Sequence, residues 1–313
     1  MKLSKIKGFF PYILMVFLNT FVDLGHKILI QDTLYQTVSG TKYTIFSSII
    51  NAFILLPYIL LFTPSGFIAD KFRKSQVLKI TAAASIPLTI LITLCYFKGY
   101  FWLSFFLTLS LGIQSALNSP AKYGYIKEMF GKEHLSQVNA IVQTLTIIAI
   151  LGATLVFTFL FSHYLQKAGL QASTDKSLIL TVFAPLGFFL IAFSVFETVM
   201  TFRLIEHEAA APNTTYKPAD YFRGHYLKTY LQNTYKHPII FTCIVGLSIF
   251  WAVNQVLLAS YGAFLKEHVG DISVLFAQGS LAIGGIGIIL GALYAGKVSK
   301  GFIESGLIPV AAL

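Results

Sequence analysis

The sequence predicts an all-α membrane protein, and three observations support this fold class. Hydrophobic residues make up 56% of the 313 residues and charged residues only 12%, whereas soluble domains are about half apolar and about a quarter charged. The mean hydropathy is +0.72. Long apolar runs recur along the chain and are separated by short basic clusters, so the medium around most of this surface is expected to be lipid.

Eight apolar runs have the length of a membrane-spanning helix, which is about 20 residues for a core of about 30 Å. Lone strands would leave backbone groups unpaired in lipid, so each run predicts a helix. The runs are 9–30, 43–68, 77–97, 100–118, 138–161, 178–204, 239–265 and 274–295, and a ninth opens at 306. Twelve such helices need about 400 residues, so we expect a longer gene product, with an incomplete second bundle here.

The basic residues orient these helices. The net charge of +10 comes from Lys and Arg clusters at the N-terminus and after every second run, which predicts a cytoplasmic N-terminus by the positive-inside rule. Clusters of this kind between apolar runs do not form a nucleic-acid surface, so no nucleic-acid partner is expected. The host membrane is expected to be a bacterial inner membrane.

Three segments follow from this pattern: a six-helix bundle at 1–205, a cytoplasmic linker at 206–237 and part of a second bundle at 238–313. Two bundles joined by a linker are typical of secondary transporters. Within the linker, Phe222, Tyr226 and Tyr230 have a spacing of four. That spacing predicts either a helix in the headgroup region or an ordinary solvated linker helix.

The turn after the second run carries the residues Gly66, Asp70, Lys71, Arg73 and Lys74. Gly66 would let its helix approach a neighbour closely, and Asp70 can accept a hydrogen bond from Arg73. This pattern resembles the signature of the major facilitator superfamily. The resemblance implies the two-bundle fold of that superfamily and a cytoplasmic gate at this turn; the alternative is a basic turn that serves only topology.

A second resemblance rests on residues 118–126, from Asn118 to Ile126, with 23–27 and 55–62. These segments resemble bacterial lysophospholipid transporters of the same superfamily. The resemblance implies alternating-access movement of lysophospholipid to the cytoplasmic leaflet for re-acylation. Some such transporters are fused to an acyltransferase. The His-x4-Asp signature of that enzyme is absent from this sequence. An acyltransferase is therefore expected only as a partner, either fused through further sequence or associated as a separate protein.

Pro120 is expected to end the fourth helix. Lys122 would then lie at the cytoplasmic headgroup level, where it either attracts a lipid phosphate or only snorkels.

Polar residues within the runs are the candidates for a substrate or coupling site. Asn19, Asp23 and Lys27 are four residues apart and share one helix face. Asp23 lies about 21 Å into the first run. The alternative is that Asp23 only forms an ion pair with Lys27 of the same helix.

Further candidates are Gln114 and Asn118, which share a face of the fourth helix, and Asn254 in the seventh. Hydrogen bonding between helices is the alternative for all three. Glu197 is expected at the cytoplasmic boundary, without a special role.

Three other functions are alternatives to lysophospholipid transport: a drug exporter, a membrane anchor and an enzyme. An ion-coupled exporter of amphipathic drugs would use Asp23, and a membrane anchor for a fused acyltransferase would not need the gate motif. An enzyme is not expected, because the sequence has no evident nucleophile with a base and no clustered His or Cys ligands. No cofactor or metal is expected.

Overall fold

The computed structural model describes residues 6–170, 173–269 and 274–298, most of which are helical. In this described part, seven helices are long and apolar enough to cross a bilayer, and one bent pair of helices adds an eighth span. Six spans precede the linker and two follow it, as the apolar runs predicted. The ninth run lies outside the described residues.

The helices are α1 (Phe9–Thr37), α2 (Gly40–Leu60), α3 (Phe62–Lys71), α4 (Lys74–Lys98), α5 (Phe101–Phe130), α6 (Leu135–Lys167), α7 (Lys176–Phe183), α8 (Leu186–Phe202), α9 (Pro218–Phe222), α10 (His225–Tyr235), α11 (Pro238–His268) and α12 (Val274–Val298). The second span consists of α2 and α3. The sixth span consists of α7 and α8, which meet at a bend of 57°.

Proline accounts for the bend in the sixth span. Pro185 stands directly before α8, and a proline lacks the backbone N–H and presses on the preceding turn. In the second span, Pro57 lies within α2, and the Leu61 N–H donates to its carbonyl oxygen at 2.7 Å before α3 begins.

The prediction that Pro120 ends the fourth helix is wrong, because α5 runs through it from Phe101 to Phe130. Within a membrane, neighbouring helices can accommodate the backbone group that a proline leaves free. The consequence concerns Lys122, which was expected just beyond the end of this helix. It belongs to a continuous helix, and only 8% of its surface is exposed.

Two apolar clusters hold the first six spans together. The cluster nearer the linker includes Tyr12, Tyr125 and Val138, and the cluster at the opposite end includes Tyr96 and Phe157. Because lipid tails are as apolar as these side chains, close packing is the main source of this association. The helix α1 passes through both clusters and packs against α5, α6 and α8.

A close helix approach of the kind predicted at Gly66 is found at Gly112. A Cβ atom on Gly112 would lie 2.5 Å from the Phe53 carbonyl oxygen and 3.2 Å from the Ile54 Cα, so only glycine lets α5 approach α2 here. Around Gly66, no neighbouring atom of the described residues comes within 4 Å of the equivalent position.

The linker folds back against α3. The Ala211 N–H donates to the Asp70 carbonyl oxygen at 2.8 Å, and the Tyr216 and Phe67 rings are 5.1 Å apart. The linker helix that was predicted from the spacing of Phe222, Tyr226 and Tyr230 is in fact two helices. Gly224 separates them, because it adopts a left-handed φ of 69°. Phe222 and Tyr230 are exposed, which fits both a headgroup location and a solvated linker.

The helices after the linker meet the first bundle at the end far from the linker. Gly262 of α11 is in close contact with the Tyr43 ring, and Gly285 of α12 is in close contact with Leu151. Residues 238–253, the part of α11 nearest the linker, are exposed. The described contacts between the bundles therefore run from the end far from the linker to the middle of α6 and α12.

Candidate functional site

A polar cluster lies between the two apolar clusters of the first bundle. Its members come from α1, α4, α5 and α8, so it forms only when these four helices pack. They are Asn19, Asp23, Thr81, Gln114, Ser115, Asn118, Lys122 and Glu197.

Helices α1 and α5 are joined by two side-chain hydrogen bonds in this cluster. The Ser115 hydroxyl donates to the Asp23 carboxylate. Four residues earlier on α1, the Asn19 side-chain oxygen accepts a hydrogen bond from the Asn118 amide at 3.3 Å. The predicted common face of Asn19 and Asp23 is therefore the face that α1 presents to α5.

Helix α4 closes the other side of the cluster. The Thr81 hydroxyl donates to the Asn118 side-chain oxygen at 2.9 Å, and the Gln114 amide donates to the Thr81 carbonyl oxygen at 3.0 Å. Gln114 and Asn118 thus share a face, as their spacing predicted. Both amides are used for contacts between helices, which was the alternative to a role in ligand contact.

Three charged side chains meet in the same cluster. Lys122 interacts electrostatically with Asp23 and Glu197, and the two carboxyl groups interact with each other. Glu197 is 1% exposed. Its oxygens meet no described partner in good hydrogen-bond geometry, but the Asn19 side chain is close enough to interact with the carboxyl group. Two carboxyl groups and one ammonium group therefore share a buried, largely apolar site.

Glu197 is the functional candidate that the sequence interpretation rejected. Counting residues from 178 placed it at the membrane boundary, because the span was treated as one straight helix. The structure shows a bent span and turns the Glu197 side chain into the bundle. The sequence did contain a signal that could have identified Glu197. A carboxyl group within an apolar run is a functional candidate by default.

Two other predicted residues are not part of these contacts. Within the described residues Lys27 forms no ion pair with Asp23, whose partner is Ser115. Asn254 donates to the Phe250 carbonyl oxygen of its own helix at 2.8 Å and makes no hydrogen bond to the cluster. Neither residue carries the argument for a site.

The gate motif is organised by carboxyl groups outside the motif. Arg73 and Lys79 both bind Glu206 at 2.7 Å, and Lys74 binds Glu128 at 2.5 Å. Among the described residues, the exposed Asp70 carboxylate has no hydrogen bond or ion pair, so the anticipated Arg73–Asp70 contact is not formed.

Glu206 links the motif to the start of the linker. The hydrogen bond and charge of Lys79, together with Arg73, lower the pKa of Glu206 below its ordinary value. The carboxylate is therefore ionised at neutral pH and holds both cations.

A separate buried carboxyl group connects the two bundles. Asp32 of α1 is 0% exposed. It accepts hydrogen bonds from the Thr158 hydroxyl of α6 at 2.6 Å and from the Gln278 amide of α12 at 3.1 Å. We call these three residues the Asp32 contact. The sequence interpretation missed it, because Asp32 lies two residues beyond the end of the first predicted run.

No group of three or more His, Cys, Asp or Glu side chains in the described residues has the arrangement of a metal site.

These features define a multi-pass helical membrane protein of the transporter class. The family model of the Major Facilitator Superfamily matches residues 11–312, so the chain belongs to that superfamily.

Two comparisons refine this assignment. Over 110 residues the chain is 38% identical to the lysophospholipid transporter LplT of Photorhabdus laumondii subsp. laumondii, an alignment that spans 34% of this chain and 25% of that protein.

The fold also matches the crystal structure of a bacterial homologue of the human lysosomal transporter Spinster, solved in an inward-facing and unoccupied conformation. The TM-score is 0.59 at 14% identity, over 98% of this chain and 64% of that one. At this identity the match supports the fold alone.

Proposed function

We propose that the protein moves lysophospholipid to the cytoplasmic leaflet of a bacterial inner membrane by alternating access. The N-terminus and the linker lie in the cytoplasm in this proposal. An acyltransferase, fused or associated, would then re-acylate the lipid.

The observation that carries the proposal is the buried Lys122 beside Asp23 and Glu197. An ammonium group inside an apolar bundle is costly unless it has partners, and a lipid phosphate is a suitable exchangeable partner for such a point charge. The partial identity to a named lysophospholipid transporter supports the same substrate class. Apolar side chains around the cluster suit a single acyl chain.

Uptake of labelled lysophosphatidylethanolamine into cells that lack their own lysolipid uptake tests the proposal. The complete protein should restore uptake. Lys122→Ala should lower it by roughly tenfold or more, because a hydrogen bond to a charged group is lost. Lys122→Arg should keep part of the activity, since the charge is retained.

Lys127→Ala is the matched control, because Lys127 is an exposed lysine of the same helix. Its uptake should equal that of the wild type. Absence of uptake by well-expressed wild-type protein would overturn the substrate assignment. Resistance to cationic amphiphiles, abolished by Asp23→Asn and without lysolipid uptake, would instead identify a drug exporter.

A further inference from the structure

An apolar groove lies on the bundle next to the gate motif, between α3, α4 and α5. Its volume is about 260 Å³, and its walls are formed by Ile68, Phe72, Val77, Ile80 and Leu117, with Gln76 and Thr81 as the polar members. Apolar cavities of about 150 Å³ already bind a benzene molecule. The groove is therefore large enough for a segment of an acyl chain.

The groove opens on an exposed side of the described bundle, along a helix that is long and apolar enough to span a bilayer. Ile80 is 64% exposed and Phe72 is 46% exposed, although both are large apolar residues. Ile80 belongs to the membrane-spanning helix α4, and Phe72 lies two residues before that helix begins. At this position the medium that fills an apolar groove consists of lipid chains.

A cation lies at the mouth of the groove. The Lys71 ammonium lies between two rings, 5.4 Å from the centroid of Phe67 and 6.0 Å from that of Phe72, and Phe72 lines the groove. The neighbouring cations Arg73 and Lys74 are held by carboxylates, whereas Lys71 forms no ion pair with any described residue. Gln76, also exposed, has a side chain with no hydrogen bond among the described residues.

We propose that this groove binds one bilayer phospholipid with an anionic headgroup. One acyl chain occupies the groove, and the headgroup phosphate binds Lys71 and the Gln76 amide. Charge complementarity selects an anionic headgroup, and the apolar walls select a lipid over a polar partner. The lipid would join α3 to the start of α4. This proposal does not depend on the transported substrate.

The test measures lipid retained by the purified full chain, using native mass spectrometry after titration with phosphatidylglycerol or phosphatidylcholine of identical acyl chains. Wild-type protein should retain one phosphatidylglycerol in preference to phosphatidylcholine. Lys71→Gln should weaken phosphatidylglycerol binding roughly fivefold, the effect of one basic residue, and should weaken binding of the zwitterionic phosphatidylcholine less. Ile80→Trp fills the groove and should weaken both lipids.

The controls are Lys98→Gln and Ile90→Trp, which alter exposed residues of α4 outside the groove. Both should bind lipid like the wild type. If Ile80→Trp lowers the helix content, Ile80→Phe replaces it. Equal binding of the two lipids by wild-type protein would refute the proposal, as would losses in the controls that match those in the groove variants. A dimer that disappears in Ile80→Trp would show that a second copy occupies the groove.

Discussion

At the scale of single residues, Glu197 is the side chain whose burial is hardest to explain by packing. The residue is 1% exposed, its oxygens lack a described partner in good hydrogen-bond geometry, and its polar neighbours are Asn19 and a second carboxyl group, Asp23. Buried polar groups without partners cost stability. A protein keeps such a group where function requires it.

Substitution Glu197→Gln separates function from stability. The amide keeps the size and removes the charge, so the melting temperature should stay equal or rise. Lysolipid uptake should fall by roughly tenfold or more, because the charge balance around Lys122 changes. The two measurements are thermal unfolding in detergent and uptake in cells.

Glu128→Gln serves as the comparison, because Glu128 does have a partner in Lys74. This change should lower stability by roughly 1–3 kcal/mol, since the buried ammonium loses its partner. A fall in stability for Glu197→Gln as large as that for Glu128→Gln would assign Glu197 a structural role instead.

At the scale of elements, the first residues of the linker are attached to α4 by charge. Glu206 binds both Arg73 and Lys79, and the linker backbone then bonds to α3 through Ala211. Ion pairs this exposed contribute little individually, but here two cations share one carboxylate. The attachment positions the linker beside the gate motif.

Glu206→Gln should release this attachment. Amide hydrogen exchange at Ala211 should become faster at neutral pH, because the linker no longer stays against α3. Glu208→Gln, two residues further along the exposed linker, should leave the exchange unchanged. Unchanged exchange in Glu206→Gln would show that the linker is held by its other contacts.

The pH dependence has a definite sign. The pKa of Glu206 is lowered in the folded protein, so its contribution to stability is complete above the unfolded-state pKa and is lost as the pH falls through the folded-state value. In wild-type protein, exchange at Ala211, corrected for its intrinsic pH dependence, should therefore accelerate only in acid. In Glu206→Gln this transition should be absent.

At the scale of the whole molecule, the Asp32 contact joins helices before the linker to a helix after it. If transport occurs by alternating access, this end must open, and the contact must break. Asp32→Ala leaves Thr158 and Gln278 without their acceptor. The open population should increase, by a free-energy shift of about 1–3 kcal/mol.

Spin labels at Thr41 and Glu267 report this opening, because both positions are exposed and lie on the two sides of the contact. The distance distribution of Asp32→Ala should gain a longer component. Asp32→Asn should resemble the wild type, since its amide can still accept from Gln278. Asp175→Ala is the control, because Asp175 only caps α7. Identical distributions for Asp32→Ala and wild type would remove the contact from the mechanism.

Orientation in the membrane is a second property of the whole molecule. In a background with Cys95 and Cys243 replaced by Ser, Thr41→Cys and Thr174→Cys should react with an impermeant thiol reagent added to intact cells. Thr215→Cys, in the exposed linker, should react only after permeabilisation. Labelling of Thr215→Cys from outside would reverse the predicted topology.

The eight spans of the described residues, the helical class and the superfamily signature were determined by the sequence alone. The length of an apolar run is enough to predict a membrane-spanning helix, because a membrane leaves the backbone few alternatives to a helix. Asn19, Asp23, Gln114 and Asn118 could likewise be singled out, since polar side chains in apolar runs are visible without coordinates.

Only the tertiary structure decided which of these side chains meet. Continuation of α5 through Pro120 kept Lys122 within a buried helix, and Glu197 lies on the face of α8 that is buried in the bundle. Glu206, rather than Asp70, became the partner of Arg73. Residue spacing fixes depth and face within one straight helix, whereas bends and contacts between helices depend on how distant parts of the chain pack.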